Sequence, residues 1–190
     1  MHGDFLLMVR DGSPPEVPTP LGVTLAHGST NLLLELGDVT PDTLQTRLSR
    51  QDRAFVALAG GRPAAVLWVH LGDFDLWGAR SRIALPPSRA MVYGVYTAPA
   101  WQRRGISSWL ERRAFQEMEL GGVLGGVCVV EPDNRAGLAR AHRTGYREFL
   151  RLRYLRVLGI GAHIVSSRKG RTRVRVSLAG MSGPLQLALG

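Results

Sequence analysis

Residues 92–110 read VYGVYTAPAWQRRGISSWL, and the way this stretch changes period decides the fold. From Met91 to Thr97 it is apolar and rich in β-formers, which predicts a strand. Pro99 ends that pattern. Ile106, Leu110, Ala114 and Met118 then recur every four residues with Trp109 beside them, the mark of an amphipathic helix from about Gly105 to Leu120. Gly121-Gly122 stops it. Between strand and helix lies the turn Gln102-Arg103-Arg104-Gly105-Ile106-Ser107. The first turn of a helix leaves backbone N–H groups without partners, and the helix dipole adds to their positive potential. Gly105 lets an anion approach the backbone without meeting a Cβ, and Arg103 and Arg104 add fixed charge. The turn is therefore predicted to hold a pyrophosphate. The spacing is neither GxxxxGK[ST] nor GxGxxG after a first strand, which argues against a nucleoside triphosphate or a dinucleotide fold. Taken alone, the turn is equally compatible with an ordinary basic helix start.

Working outward, residues 123–130 are apolar throughout, as expected of a strand covered on both faces and parallel to the one before the helix. Strand, helix and strand make a right-handed βαβ unit. Asp133 or Asn134 caps a second helix that closes at Gly145. Phe149 to Leu158 alternates apolar residues with arginines, and Val174, Val176 and Leu178 alternate with Arg173, Arg175 and Ser177, so two further strands are expected. Toward the N-terminus, residues 22–26 form a short strand, and Thr40 caps a helix from Pro41 toward Arg50. Residues 55–59 and 64–69 form a hairpin around Gly60-Gly61-Arg62. Residues 71–88 are a long connection that either carries extra strand or acts as a lid. Residues 1–20, with the proline-rich segment DGSPPEVPTP, read as an N-terminal extension or linker; 21–160 are the main domain, and 161–190 a basic strand or tail packed on it. The expected class is α/β with a mixed, mostly antiparallel sheet and a central parallel pair.

The chain has 190 residues, 45% of them hydrophobic, enough for one sizeable core. No apolar run approaches the roughly 20 residues that span a bilayer, and the N-terminus lacks a basic signal-peptide region. A soluble cytoplasmic protein is the expectation, with no membrane partner. The lone Cys128 sits in an apolar run and reads as a buried hydrophobe in a reducing compartment. The formal charge of +9 is uneven: residues 1–146 hold 15 basic and 14 acidic residues, whereas 147–190 hold 9 basic residues and only Glu148 as acid.

The stretch VYGVYTAPAWQRRGISSWL, followed by VVEPDNRAGLARAHRTGY at 129–146, resembles the GNAT superfamily of acetyltransferases. The resemblance covers about Gly22 to Leu158. The family's motif, Gln/Arg-x-x-Gly-x-Gly/Ala after a strand and a proline, is matched by Gln102-x-x-Gly105-x-Ser107, with serine in the last small position. Its second motif is matched by Asn134 and by Gly145-Tyr146. The resemblance implies an acetyl-CoA-dependent N-acetyltransferase with a small-molecule or peptide amine as acceptor and no metal. It implies that the two parallel strands splay and admit the pantetheine arm. Backbone groups of Val95, Tyr96 and Thr97 would then pair with the cofactor. The segment Gln102, Arg103, Arg104, Gly105, Ile106, Ser107 and Ser108 would hold its pyrophosphate, and Asn134 would face its arm.

The acid–base groups are less legible. Where relatives carry a carboxylate on the strand this chain has Gly94, and where they carry a tyrosine seven residues after the Asn it has Ala141. A thiolate leaving group with a pKa of about 8.5 to 10 does not demand a proton donor. A base acting through water could be His70, Tyr93, Glu131 or His142, each of which also has an ordinary structural reading. Asp73 and Asp75 could attract a cationic acceptor. A non-catalytic acetyl-CoA-binding or interaction module is a second reading. A third is a nucleic-acid-associated protein using the basic run Ser166–Arg175. That run lacks the interleaved aromatics that stack on bases and fits an arginine-guarded edge strand better. A homodimer is compatible with the sequence.

Overall fold

A computed structural model describes residues 2–76, 80–157, 160–167, 172–178 and 185–188. In chain order the elements are β1 (His2–Asp11), β2 (Val23–His27), α1 (Thr30–Leu36), α2 (Pro41–Ser49), β3 (Arg53–Ala59), β4 (Arg62–Leu71), β5 (Phe74–Leu76), β6 (Ser81–Ala84), β7 (Arg89–Thr97), α3 (Ile106–Glu119), β8 (Gly125–Val130), α4 (Arg135–Arg143), β9 (Arg147–Val157), β10 (Ile160–Ser167), β11 (Thr172–Leu178) and β12 (Leu185–Ala188). Nine strands form one sheet in the order β11-β10-β9-β1-β8-β7-β4-β3-β2. Every neighbouring pair is antiparallel except β7 and β8. The expected mixed sheet with a central parallel pair is present.

Strand β1 departs from the expectation of an N-terminal extension. It lies inside the sheet, between β8 and β9. Its run Leu6-Leu7-Met8-Val9 is apolar without alternation because both its faces are covered. Leu6 and Met8 join the core under α3, while Leu7 and Val9 face the opposite side with Ile83 and Met91. The segment 71–88 contributes β5 and β6, which pair with each other and, through β6, in parallel with β12 in a small second sheet. Strand β11 is the edge of the large sheet. Residues 168–171 of the basic run lie outside the described residues.

Helix α3 packs Ile106, Leu110, Ala114, Phe115 and Met118 on one face of the sheet, against Phe55, Leu67, Val92 and Cys128. Helices α1 and α2 cover the other face through Leu33, Leu36 and Leu44 on Val56, Val66 and Trp68. The caps follow the sequence. The Thr40 hydroxyl accepts from Thr43 N at 3.3 Å at the start of α2. At the end of α4, Gly145 N donates to His142 O at 3.1 Å and Tyr146 N to Ala141 O at 2.9 Å, a Schellman pair that Gly145 closes at φ 87°.

A buried ionic cluster ties α3 and α4 to β1. The Glu111 carboxylate accepts from Arg10 Nη1 at 2.7 Å and from Arg140 Nη1. The Arg10 guanidinium also lies 4.0 Å from the Phe115 ring centre and 4.7 Å from that of Tyr146. Cys128 sits beneath this cluster, where burial pushes its thiol up to about 12. It is a packing residue, as its apolar surroundings in the sequence suggest.

Candidate active site

The site is built around the end of β7. Strands β7 and β8 pair only from Arg89↔Gly125 to Val92↔Cys128. Strand β7 runs on to Thr97 and β8 to Val130, so beyond Val92 the edge of β7 that faces β8 has no strand partner. A bulge at Gly94-Val95 marks the divergence. On the β4 side, Trp68 pairs Tyr93 and Val66 pairs Tyr96, so one residue of β4 opposes two of β7. Gly94 adopts φ 53°, which an L side chain rarely takes up. A Cβ there would also lie 3.0 Å from Arg47 Nη1 and 3.1 Å from Trp68 Cδ1.

The turn after β7 is a short 3₁₀ segment, Pro99–Trp101, followed by Arg103 and Gly105 in the left-handed region at φ 61° and 76°. Gln102 Nε2 donates to Thr97 O at 3.1 Å and ties the turn back to the strand. Gly105 is the N-cap of α3 and has no side chain to satisfy the first turn. The first helical bond closes from Trp109 N to Gly105 O at 3.0 Å, so Ile106, Ser107 and Ser108 have no N–H partner inside the helix. Among the described residues, no backbone N–H from Arg103 to Gly105 donates to another backbone group. A Cβ at Gly105 would project into open space. The Arg104 guanidinium packs 4.9 Å from the Trp101 ring centre. Asn134 follows β8, across the gap, and its Oδ1 accepts from Gly137 N at 2.8 Å as the N-cap of α4.

On the α2 side of β7 lies an open cleft of about 430 Å³. Arg47 of α2, Arg50 just past its end, Phe74 and Asp75 of β5, and Tyr93 of β7 line it. Beside it is a network centred on Asp52, whose side chain is buried. Asp52 Oδ1 lies 2.6 Å from His70 Nδ1. Asp52 Oδ2 accepts from Arg50 Nη2 at 2.7 Å and from the Tyr93 hydroxyl. His70 Nε2 lies 2.9 Å from the Asp73 carbonyl oxygen, so both its ring nitrogens are engaged, and His70 does not line the cleft. Burial, then the hydrogen bond to Asp52 and the charge on Asp52, push the Tyr93 phenol well above its ordinary range. Asp75 is held below the usual carboxylate value, first by its hydrogen bonds from Arg82, at 2.8 and 3.1 Å.

The structure thus brings two of the four candidate proton carriers, His70 and Tyr93, onto one carboxylate. Glu131 is exposed in the connection after β8, and His142 is exposed on α4. Ala141 is fully buried in the core below α4. The residue that organises the cleft, Asp52, carries no motif. Its only sequence signal is an acid standing directly before a buried apolar strand. Among the described residues no cluster of His, Cys, Asp or Glu could hold a metal ion, and no helix is long and apolar enough to cross a membrane.

A mixed sheet whose central parallel strands part beside a helix start without a side-chain cap is the frame of the site. The family model described as Acetyltransferase (GNAT) family matches residues 31–146, and the chain belongs to that family. Its structure is similar to a GCN5-related N-acetyltransferase from Kribbella flavida at 19% identity and TM-score 0.52, over 77% of this chain and 55% of that one. It is similar to a GCN5-related N-acetyltransferase from Sphaerobacter thermophilus at 17% identity and TM-score 0.57, over 78% of this chain and 49% of that one. It also resembles the ribosomal-protein-S18-alanine N-acetyltransferase of Escherichia coli at 17% identity and TM-score 0.53, over 85% and 96% of the two chains. At these identities the likeness is one of fold. The chain spans about half the length of the Kribbella and Sphaerobacter proteins. No curated protein matches the sequence.

Proposed function

We propose that this chain is an acetyl-CoA-dependent N-acetyltransferase acting on a primary amine of a small molecule or peptide. The observation that carries the reading is the gap: β7 loses β8 at Val92, and a helix start without a side-chain cap follows immediately. The residues fit the cofactor. The unpaired edge at Val95, Tyr96 and Thr97 would pair with the pantetheine arm. The backbone N–H groups from Arg103 to Ser108 would hold the pyrophosphate, with the space in front of Gly105 open to it. Gln102 fixes the turn, and Asn134 would face the arm while capping α4. Acetyl-CoA supplies the activated acyl group. The acceptor nitrogen forms the new C–N bond with its lone pair, the C–S bond breaks with its electrons on the thiolate, and the amine proton leaves to solvent. Proximity and polarisation of the carbonyl by the β7 backbone provide the acceleration. The lone, buried Cys128 fits cytoplasmic work.

Calorimetry with acetyl-CoA and thiol release over an amine panel test the proposal. Binding together with turnover of at least one amine is expected; absence of acetyl-CoA binding would overturn it. The second reading, an acetyl-CoA-binding module without turnover, is favoured by Gly94 and the fully buried Ala141, which leave the family's usual acid–base positions without a functional group. Binding without turnover on any amine would select it.

A further inference from the structure

Arg47 is a half-buried cation for which the acetyl-transfer reading finds no use. Its guanidinium carbon lies 4.8 Å from the Trp68 ring centre and 5.2 Å from that of Tyr93, so the plane is held by aromatic walls. Its Nη1 is shielded from solvent and has no hydrogen-bond partner. Among the described residues it forms no salt bridge, although its charge is felt by the carboxylate of Asp38, whereas Arg50, three positions on, is paired directly with Asp52. Trp68 Nε1 is a second buried donor without a partner. Gly94 shows where the Arg47 donor lies. A Cβ on Gly94 would stand 3.0 Å from Arg47 Nη1 and 3.1 Å from Trp68 Cδ1, so both side chains lie beside the bulge. The cleft on that side has Arg47 in its wall. A buried donor left unpaired is costly, more so on a charged group, and an acceptor oxygen that completes it is bound correspondingly well.

We propose that the cleft takes a short amino carboxylate, an amine whose own carboxylate is received by Arg47. This rests on the acetyl-transfer reading for the reaction but not for the binding. A simple alkylamine would have nothing to place on Arg47.

The test uses the full chain and matched probes: glycine, leucine, glutamate and phenylalanine against their carboxamides, and phosphoethanolamine against ethanolamine. Binding is measured by calorimetry with and without CoA, and turnover with acetyl-CoA. At least one free acid should bind at least tenfold more tightly than its carboxamide. Arg47→Met should erase that preference, and Arg47→Lys should restore part of it, with acetyl-CoA affinity in both variants within about twofold of the parent. Thermal melts establish that each variant is folded. Carboxamides bound as well as acids, a preference that survives Arg47→Met, or no acid bound in either state would each overturn the proposal. A preference confined to the phosphate pair would overturn the carboxylate assignment. Failure of acetyl-CoA to bind would sink the transfer reading alone, since acid-over-carboxamide binding to the unloaded protein still decides the role of Arg47.

Discussion

The two sides of β7 are made of different materials. The β8 side is backbone: an unpaired strand edge, the left-handed residues Arg103 and Gly105, and the free N–H groups of α3. The α2 side is side chains: Asp52, His70, Arg50, Tyr93 and Arg47, drawn from α2, the connection between α2 and β3, β4 and β7. A backbone site depends on local geometry and constrains only which residues have room. A side-chain site depends on long-range placement and can be rebuilt with other residues on the same scaffold. The first suits a ligand that stays the same, the second one that varies.

Beneath the backbone side lies the largest expected effect. Helix α3 is anchored by Glu111, fully buried between Arg10 and Arg140. Replacing it by Gln keeps the shape and leaves two buried guanidinium groups uncompensated, which should cost about 3–5 kcal/mol. Glu117, exposed on the same helix, should tolerate the same change within about 0.5 kcal/mol. Urea midpoints of the two variants measure the contrast, and equal midpoints would show that the cluster does not hold α3 to β1 and α4.

The next effect separates backbone shape from charge within the turn. Gly105→Glu places a carboxylate in the space proposed for the pyrophosphate and should weaken acetyl-CoA binding at least a hundredfold. Gly105→Ala adds the strain of φ 76°, about 1 kcal/mol, and a methyl group in the same space without the charge, so it should weaken binding by much less than the Glu variant. Calorimetry on both decides the matter: unchanged affinity in the Glu variant would remove the turn from the cofactor site.

This contrast in materials also explains what the sequence made legible. Gly105, Pro99 and the four-residue period of α3 are local signals, so the turn, the parallel pair and the Gly145 close of α4 could be read directly, and its N-cap to within Asp133 or Asn134. Strand β1 could not be placed. Its partners lie more than a hundred residues away, Leu6 on Val130 and Val9 on Arg147, and an apolar run of that length is equally compatible with an extension. The Asp52 network is distant in the same sense: His70 and Tyr93 are 18 and 41 positions from it. Arg47 carries no signal of its own, because nothing in its neighbours announces that Trp68 and Tyr93 close over it.

The smallest effect tests whether the side-chain side is tuned as tightly as its hydrogen bonds suggest. Tyr93 donates to Asp52, and burial together with that carboxylate raises its proton affinity in the folded chain above the unfolded value of 10.0. The folded state therefore holds more protons than the unfolded one above that pH. The contribution of Tyr93 is fully present below about pH 10 and is lost as the pH rises toward the higher folded value. Tyr93→Phe should cost about 1 kcal/mol at pH 8, since Asp52 retains Arg50 and His70. The gap between parent and variant should narrow from pH 10 upward, because only the parent loses stability through this group. A gap that stays constant from pH 8 to about pH 11 would mean that the phenol is not coupled to Asp52, and that the cleft wall is held by the packing of Phe74 on Tyr93 rather than by charge.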